Sequence, residues 1–187
     1  MRQTLTRRDF AASAALLALG ASDAAWANAP EEDIAWLRLS ASAELVAQAF
    51  LARAAASQVL ARPERRRLRE ALGADRRHYA ALAAEIGPDT PVESDFSIGF
   101  RRSTFGSRDG LLAVGARIKR TLVGLNLGAT TSISDVQLRA VTGRIAASEA
   151  SHLSYLSSIA GGSALGVALP RVLDVERATQ ELAPFWG

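Results

Sequence analysis

Cysteine is absent from this 187-residue chain. That excludes disulfides, thiolate metal sites and thiol catalysis. Histidine occurs only at His78 and His152, so no metal site can be built from imidazole alone. Lysine occurs once, at Lys119, and the other basic residues are arginine. The 22 basic and 19 acidic side chains leave a net charge of only +3. The isoelectric point near 10.1 therefore reflects arginine rather than a positive surplus, and gives no reason to expect nucleic acid as a partner. There is no glycine-rich phosphate loop ending in Lys-Ser or Lys-Thr. Gly106 and Gly110 flank a helix start without the rest of that motif. No Ser-x-x-Lys or Gly-x-Ser-x-Gly stands where a nucleophile needs it, and Ser148, Ser151 and Ser154 have no second base nearby. Strand-like alternation and internal repeats are also missing. What remains is a chain 49% hydrophobic and 22% charged, the composition of one globular domain.

The first 27 residues read as an address. Arg7-Arg8-Asp9-Phe10 precedes an apolar run from Ala11 to Gly20, and Ala25-Trp26-Ala27 offers a small-x-small cleavage site before Asn28. A charged start, a short apolar middle and an Ala-x-Ala end make a secretory signal. The run is too short to span a bilayer comfortably. The paired arginines resemble a twin-arginine signal, a route understood to export folded proteins. The expectation is a signal peptide over 1–27 and one domain over 28–187, exported to the bacterial periplasm or cell envelope. Membrane contact is expected only through an uncut signal. Removing the segment takes three arginines and two aspartates and leaves +2.

The mature chain predicts an all-α fold. Pro30-Glu31-Glu32 opens a stretch without Pro or Gly up to Pro63, as suits a helix start. Ile34, Leu37, Ala41, Glu44, Gln48 and Leu51 then recur at helical steps. The first helix is predicted over about 31–58. A second runs from Pro63-Glu64 to Ile86, stops at Gly87-Pro88 and contains Gly73 as its blemish. Residues 87–107 lose the helical period, and a connection that long suits a crossover along a bundle. Ser107 is predicted to cap a third helix reaching Ala129. Ser134 with Gln137 forms a capping box for a fourth, ending before Gly161-Gly162. A shorter last helix is expected over 171–183.

The chemistry lies in polar residues on apolar stripes. Glu149 and His152 fall on the stripe Leu138, Ile145, Leu156, Ile159. Asp75 and His78 (or Tyr79) fall on Leu68, Leu72, Leu82, and Glu44 lies between Ala41 and Leu51. A buried carboxylate without a partner costs several kcal/mol or neutralises, so something must pair with these groups. Both histidines follow an acid by three residues, and such pairs project from one helix face. A Glu from one helix of each hairpin with an acid-x-x-His from the other is the di-metal carboxylate pattern of four-helix bundles. Tyr79 and Tyr155 read as packing residues whose hydroxyls find partners.

Here the chain resembles the ferritin-like family, in its exported bacterial branch. Glu44 matches the family's first Glu, Asp75-Arg76-Arg77-His78 its first Glu-x-x-His with Asp for Glu, and Glu149-Ala150-Ser151-His152 its second. Leu127-Gly128-Ala129 followed by Ile133-Ser134-Asp135 resembles the link between helices three and four. The resemblance covers about 33–160 and implies two antiparallel helical hairpins joined by a long crossover. It departs from the family on the third helix. Counting back from the link, the expected Glu falls on Lys119, or one turn off on Gly115 or Ala116, so one carboxylate is missing. The leading expectation is a degenerate di-metal site, Lys119 pairing with Glu44, Asp75 or Glu149, with no full di-iron centre and no ferroxidase activity. The alternative is a single Fe or Mn on Glu44, Asp75, His78, Glu149 and His152, with oxygen or peroxide chemistry. A third reading is a non-enzymatic envelope protein using Arg65, Arg66, Arg69, Arg76 and Arg77. Glu64, Glu70 and Asp75 interleave that stripe and favour a plain solvated face. Homo-oligomerisation is compatible with the family, and no protein partner is indicated.

Overall fold

The computed structural model describes residues 30–162 and 170–186. The expected signal over 1–27 lies outside them. The described chain is all-α, without a strand among the described residues: α1 Glu31–Ala56, α2 Arg62–Ile86, α3 Arg108–Ser132, α4 Val136–Ile159 and a short α5 Val175–Leu182. α1 pairs with α2 and α3 with α4 as two hairpins, and α1 also packs broadly on α3. α2 and α4 share the thinnest contact around the ring of four. This is a ferritin-like four-helix bundle with the expected crossover and C-terminal helix.

Local chemistry explains most boundaries. Glu31, Glu32 and Asp33 fill the first turn of α1 behind Pro30, where negative charge favours the helix dipole. α2 stops at Gly87, whose φ of 78° lies in the left-handed region open to glycine. Ser107 caps α3 as predicted, its hydroxyl accepting from the Gly110 amide at 3.1 Å. The crossover is less featureless than its composition suggests, with 3₁₀ turns at Gly87–Asp89, Glu93–Asp95 and Arg102–Phe105. Arg108 donates to Glu64 Oε1 at 2.7 Å, tying the start of α3 to the start of α2.

One expected cap is wrong. Asp135, not Ser134, caps α4, accepting from the Gln137 amide at 2.7 Å and the Leu138 amide at 3.0 Å. Ser134 is engaged elsewhere. Its hydroxyl donates to Asp33 Oδ2 at 2.7 Å, its amide lies 3.0 and 3.1 Å from the two Asp33 oxygens, and the Asp135 amide reaches Oδ2 at 3.0 Å. A buried acid on α1 therefore clasps the α3–α4 link and outcompetes the local capping box.

The apolar core falls into two parts. One contains Phe50, Leu51, Leu111, Leu122, Leu156 and Leu182; the other contains Ile34, Leu37, Leu82, Ile133, Leu138 and Ile145. The segment before α5 lies along α3, where Gly124 and Gly128 leave room. A Cβ at Gly128 would stand 1.9 Å from the Leu173 carbonyl oxygen, so only glycine fits there. The Leu173 amide donates to the Gly124 carbonyl at 3.0 Å.

Candidate metal centre

Each of the four long helices sends a polar side chain inward from a position that helical periodicity places on its apolar stripe. Glu44 comes from α1, Asp75 and His78 from α2, Lys119 from α3, Glu149 and His152 from α4. Glu44, Asp75 and Glu149 are 0% exposed and Lys119 is 1% exposed; the two histidines are half-buried. All six meet at one place. The alternative alignment of α3 is excluded, because Gly115 packs on Phe50 instead, a Cβ there lying 2.9 Å from its ring. Tyr79 turns away and donates its hydroxyl to the Pro91 carbonyl at 2.7 Å. The placement of Asp75 also corrects the reading of the α2 surface: it is buried and does not screen the arginine stripe.

Lys119 is the local counter-ion. Its Nζ donates to Asp75 Oδ2 at 2.6 Å and lies 2.7 Å from Glu149 Oε2, a close ion pair. Glu149 is the hub. Its second oxygen, Oε1, lies 3.1 Å from His78 Nδ1 and 3.4 Å from His152 Nδ1. His78 Nδ1 also approaches Glu44 Oε1 at 3.3 Å, and His152 Nδ1 lies 3.6 Å from Asp75 Oδ1. The two imidazole rings are 6.5 Å apart. Yet both Glu44 oxygens, Asp75 Oδ1, both Glu149 oxygens and both Nδ1 atoms lack a hydrogen bond of good geometry. Buried polar atoms are rarely left so, and oxygens and imidazoles gathered in this way could hold a cation.

The electrostatics follow from this packing. Burial and the neighbouring Glu149 charge push the Glu44 carboxyl up to about 8, so it prefers to be neutral. Burial and Glu149 likewise raise Asp75, to about 6, against the pull of Lys119. Burial opposes the Glu149 charge as well, but Lys119 and the two imidazoles outweigh it and hold this carboxyl well below its ordinary range. Burial disfavours a charged His78, but Glu149 and Glu44 beside it raise its pKa to about 9. Lys119 stays protonated: burial works against it, and the three carboxylates more than compensate.

The family model for the ferritin-like domain matches residues 32–162. The chain belongs to the ferritin-like family. No curated protein and no solved structure matches it. Within this ferritin-like domain the centre departs from the di-metal donor set on α3. The general pattern asks for four inward carboxylates and two histidines; here α3 supplies an ammonium, already in contact with two of the three acids. A divalent ion about 4 Å from that ammonium would be repelled by about 8 kcal/mol at an effective dielectric of about 20. The remaining donors could hold a metal ion. Glu44, Asp75, His78 and Glu149 each offer a ligand atom, all within 4.8 Å of one another. Oxygen and imidazole ligands of this kind suit Fe, Mn or Zn.

The sequence pointed to all six residues, because acid-x-x-His spacing and stripe position are local properties. It missed Asp33, which bonds to the link rather than joining the centre. The only available signal was an acid in the first turn of α1, where acids are ordinary.

Proposed function

We propose that this is an exported ferritin-like bundle protein whose centre is ionic rather than di-metallic and which lacks ferroxidase activity. Lys119 stands in for the charge of one metal, and its contacts at 2.6 and 2.7 Å with Asp75 and Glu149 carry the reading. The pair Arg7-Arg8 and the Ala25-Trp26-Ala27 site support export to the periplasm or cell envelope of a bacterium. Lys119→Glu is the decisive change, because it returns a fourth carboxylate. The native protein, purified from the exported fraction without chelator, is expected to hold about zero metal ions per chain and to oxidise no ferrous iron, and one ion per chain would move the reading to the alternative below. Lys119→Glu is expected to raise the metal content. Two ions per native chain would overturn the proposal.

The unpartnered oxygens of Glu44 beside His78 and Glu149 favour one bound ion as a second reading. Glu149, His152 and Glu44 would hold it, with His78 and Asp75 beside them, leaving Lys119 on the far oxygen of Glu149. A single Fe or Mn there supplies oxygen or peroxide chemistry. The chain's own part is to keep Glu149 ionised through Lys119. Replacing Glu149 and His152 together by Ala is expected to abolish metal uptake. Unchanged uptake would reject this second reading.

A further inference from the structure

The thin contact between α2 and α4 leaves a cavity of about 420 Å³ leading from the surface toward the buried centre. That volume lies in the range of small-molecule sites. Its buried wall is apolar, formed by Leu51, Leu68, Ala71 and Leu156, and half-buried Ala74 and Tyr155 complete the sides. Lys119 and His152 stand at the inner end. The exposed residues Arg67, Glu70, Arg77 and Ser151 form the mouth.

We propose that this cavity binds a small amphipathic monocarboxylate, with its apolar body on the leucine wall and its carboxylate between Arg77 and Arg67 at the mouth. The charge pattern selects the sign. Glu70, the one acid at the mouth, already accepts from Arg67 at 2.9 Å and pairs with Arg66 at 3.8 Å. Among the described residues Arg77 has no ion pair, so a guanidinium stands free at the opening. A guanidinium binds a carboxylate in a planar two-point fashion. The pattern also selects the orientation. Lys119 at the inner end is already held by Asp75 and Glu149, so its charge is engaged there, whereas the Arg77 guanidinium at the mouth is free. The ligand's charge therefore finds its free partner at the mouth, while its apolar part gains from leaving water along the leucine wall. An amine is disfavoured by the arginines. An alcohol fits the wall but leaves Arg77 without a partner.

The inference goes beyond the reading of the ionic centre and stands whether or not that centre holds an ion. Calorimetric titration of the full mature protein with octanoate tests it, with 1-octanol and octylamine as the neutral and cationic counterparts. One octanoate per chain is expected to bind below about 1 mM. Octanol and the Arg77→Ala variant are each expected to weaken binding about tenfold, the scale of one lost charge-assisted contact. Ala74→Leu, which fills the cavity from α2, is expected to abolish it. If that variant does not fold, Ser151→Trp closes the mouth from α4 and gives the same readout. Equal binding of octanol, preferred binding of octylamine, or octanoate binding untouched by cavity filling would each overturn the proposal, as would the absence of octanoate binding. Metal content measured on the same samples is expected to stay at the native value in Arg77→Ala and Ala74→Leu, so failure here is separable from failure at the centre.

Discussion

Asp33 and Glu44 lie on the same helix, and both are buried, yet they behave oppositely. Asp33 receives two backbone amides and a serine hydroxyl from the α3–α4 link. Burial alone would raise its pKa, but these donors lower it below the ordinary aspartate value. Glu44 receives no well-formed hydrogen bond on either oxygen and is raised to about 8. The difference is in the donors. Backbone amides cannot change their charge, so Asp33 is a fixed clasp. The neighbours of Glu44 are themselves ionisable, so its proton depends on everything else in the centre. A satisfied buried acid serves the fold; an unsatisfied one among titratable partners marks a site.

That contrast can be broken most severely at Lys119. Lys119→Met leaves Asp75 and Glu149 buried without their shared cation, a change that typically costs 3 to 5 kcal/mol, or roughly 10 °C in melting temperature. Thermal melts of the metal-free protein check this, and an unchanged midpoint would show that protons alone keep the centre neutral. Asp33→Asn comes next. It keeps the shape but loses charge-assisted bonds to the link, for an expected cost of roughly 2 kcal/mol. Its metal content is expected to match the native protein, which separates the clasp from the site.

The two acids also predict opposite responses to pH. Asp33 is held below its unfolded value, so its stabilisation is present above about pH 4 and is lost as pH falls through its depressed folded value. Glu44 is raised from 4.5 to about 8 and His78 from 6.5 to about 9. Each binds more protons folded than unfolded across those windows, so each loses its contribution as pH rises. Urea midpoints are therefore expected to fall from pH 6.5 to pH 9; a rise over that range would contradict the assignment. The smallest effect is expected from Glu44→Gln. A carboxyl already neutral at pH 7 tolerates an amide at a cost of about 1 kcal/mol or less. The slope between pH 4.5 and 8 should flatten in that variant, measured the same way.

Much of this molecule could be read before its fold was known. The helix starts and stops followed from Pro30, Ser107 and Gly87, because capping and φ preferences act within one turn. The inward placement of Asp75 with His78 and of Glu149 with His152 followed from three-residue spacing. The error at Ser134 is instructive for the same reason. A capping box is a local rule, and it lost to an acid far away in sequence that only folding brings near. The arginine stripe misled where Asp75 was counted on both faces of α2; a helix residue has one direction, and burial took it.

Residue order by itself therefore determined an all-α bundle, its hairpins and crossover, and the set of side chains that meet at the centre, since helical period and turn chemistry need no distant partner. Tertiary structure alone decided that Lys119 contacts Asp75 and Glu149 while Glu44 is left without a hydrogen bond, that Asp33 holds the link, and that α2 and α4 stand far enough apart to leave a cavity. Charge interactions fall with distance and grow as water is excluded, and both the distances between helices and the exclusion of water exist only once the helices have packed.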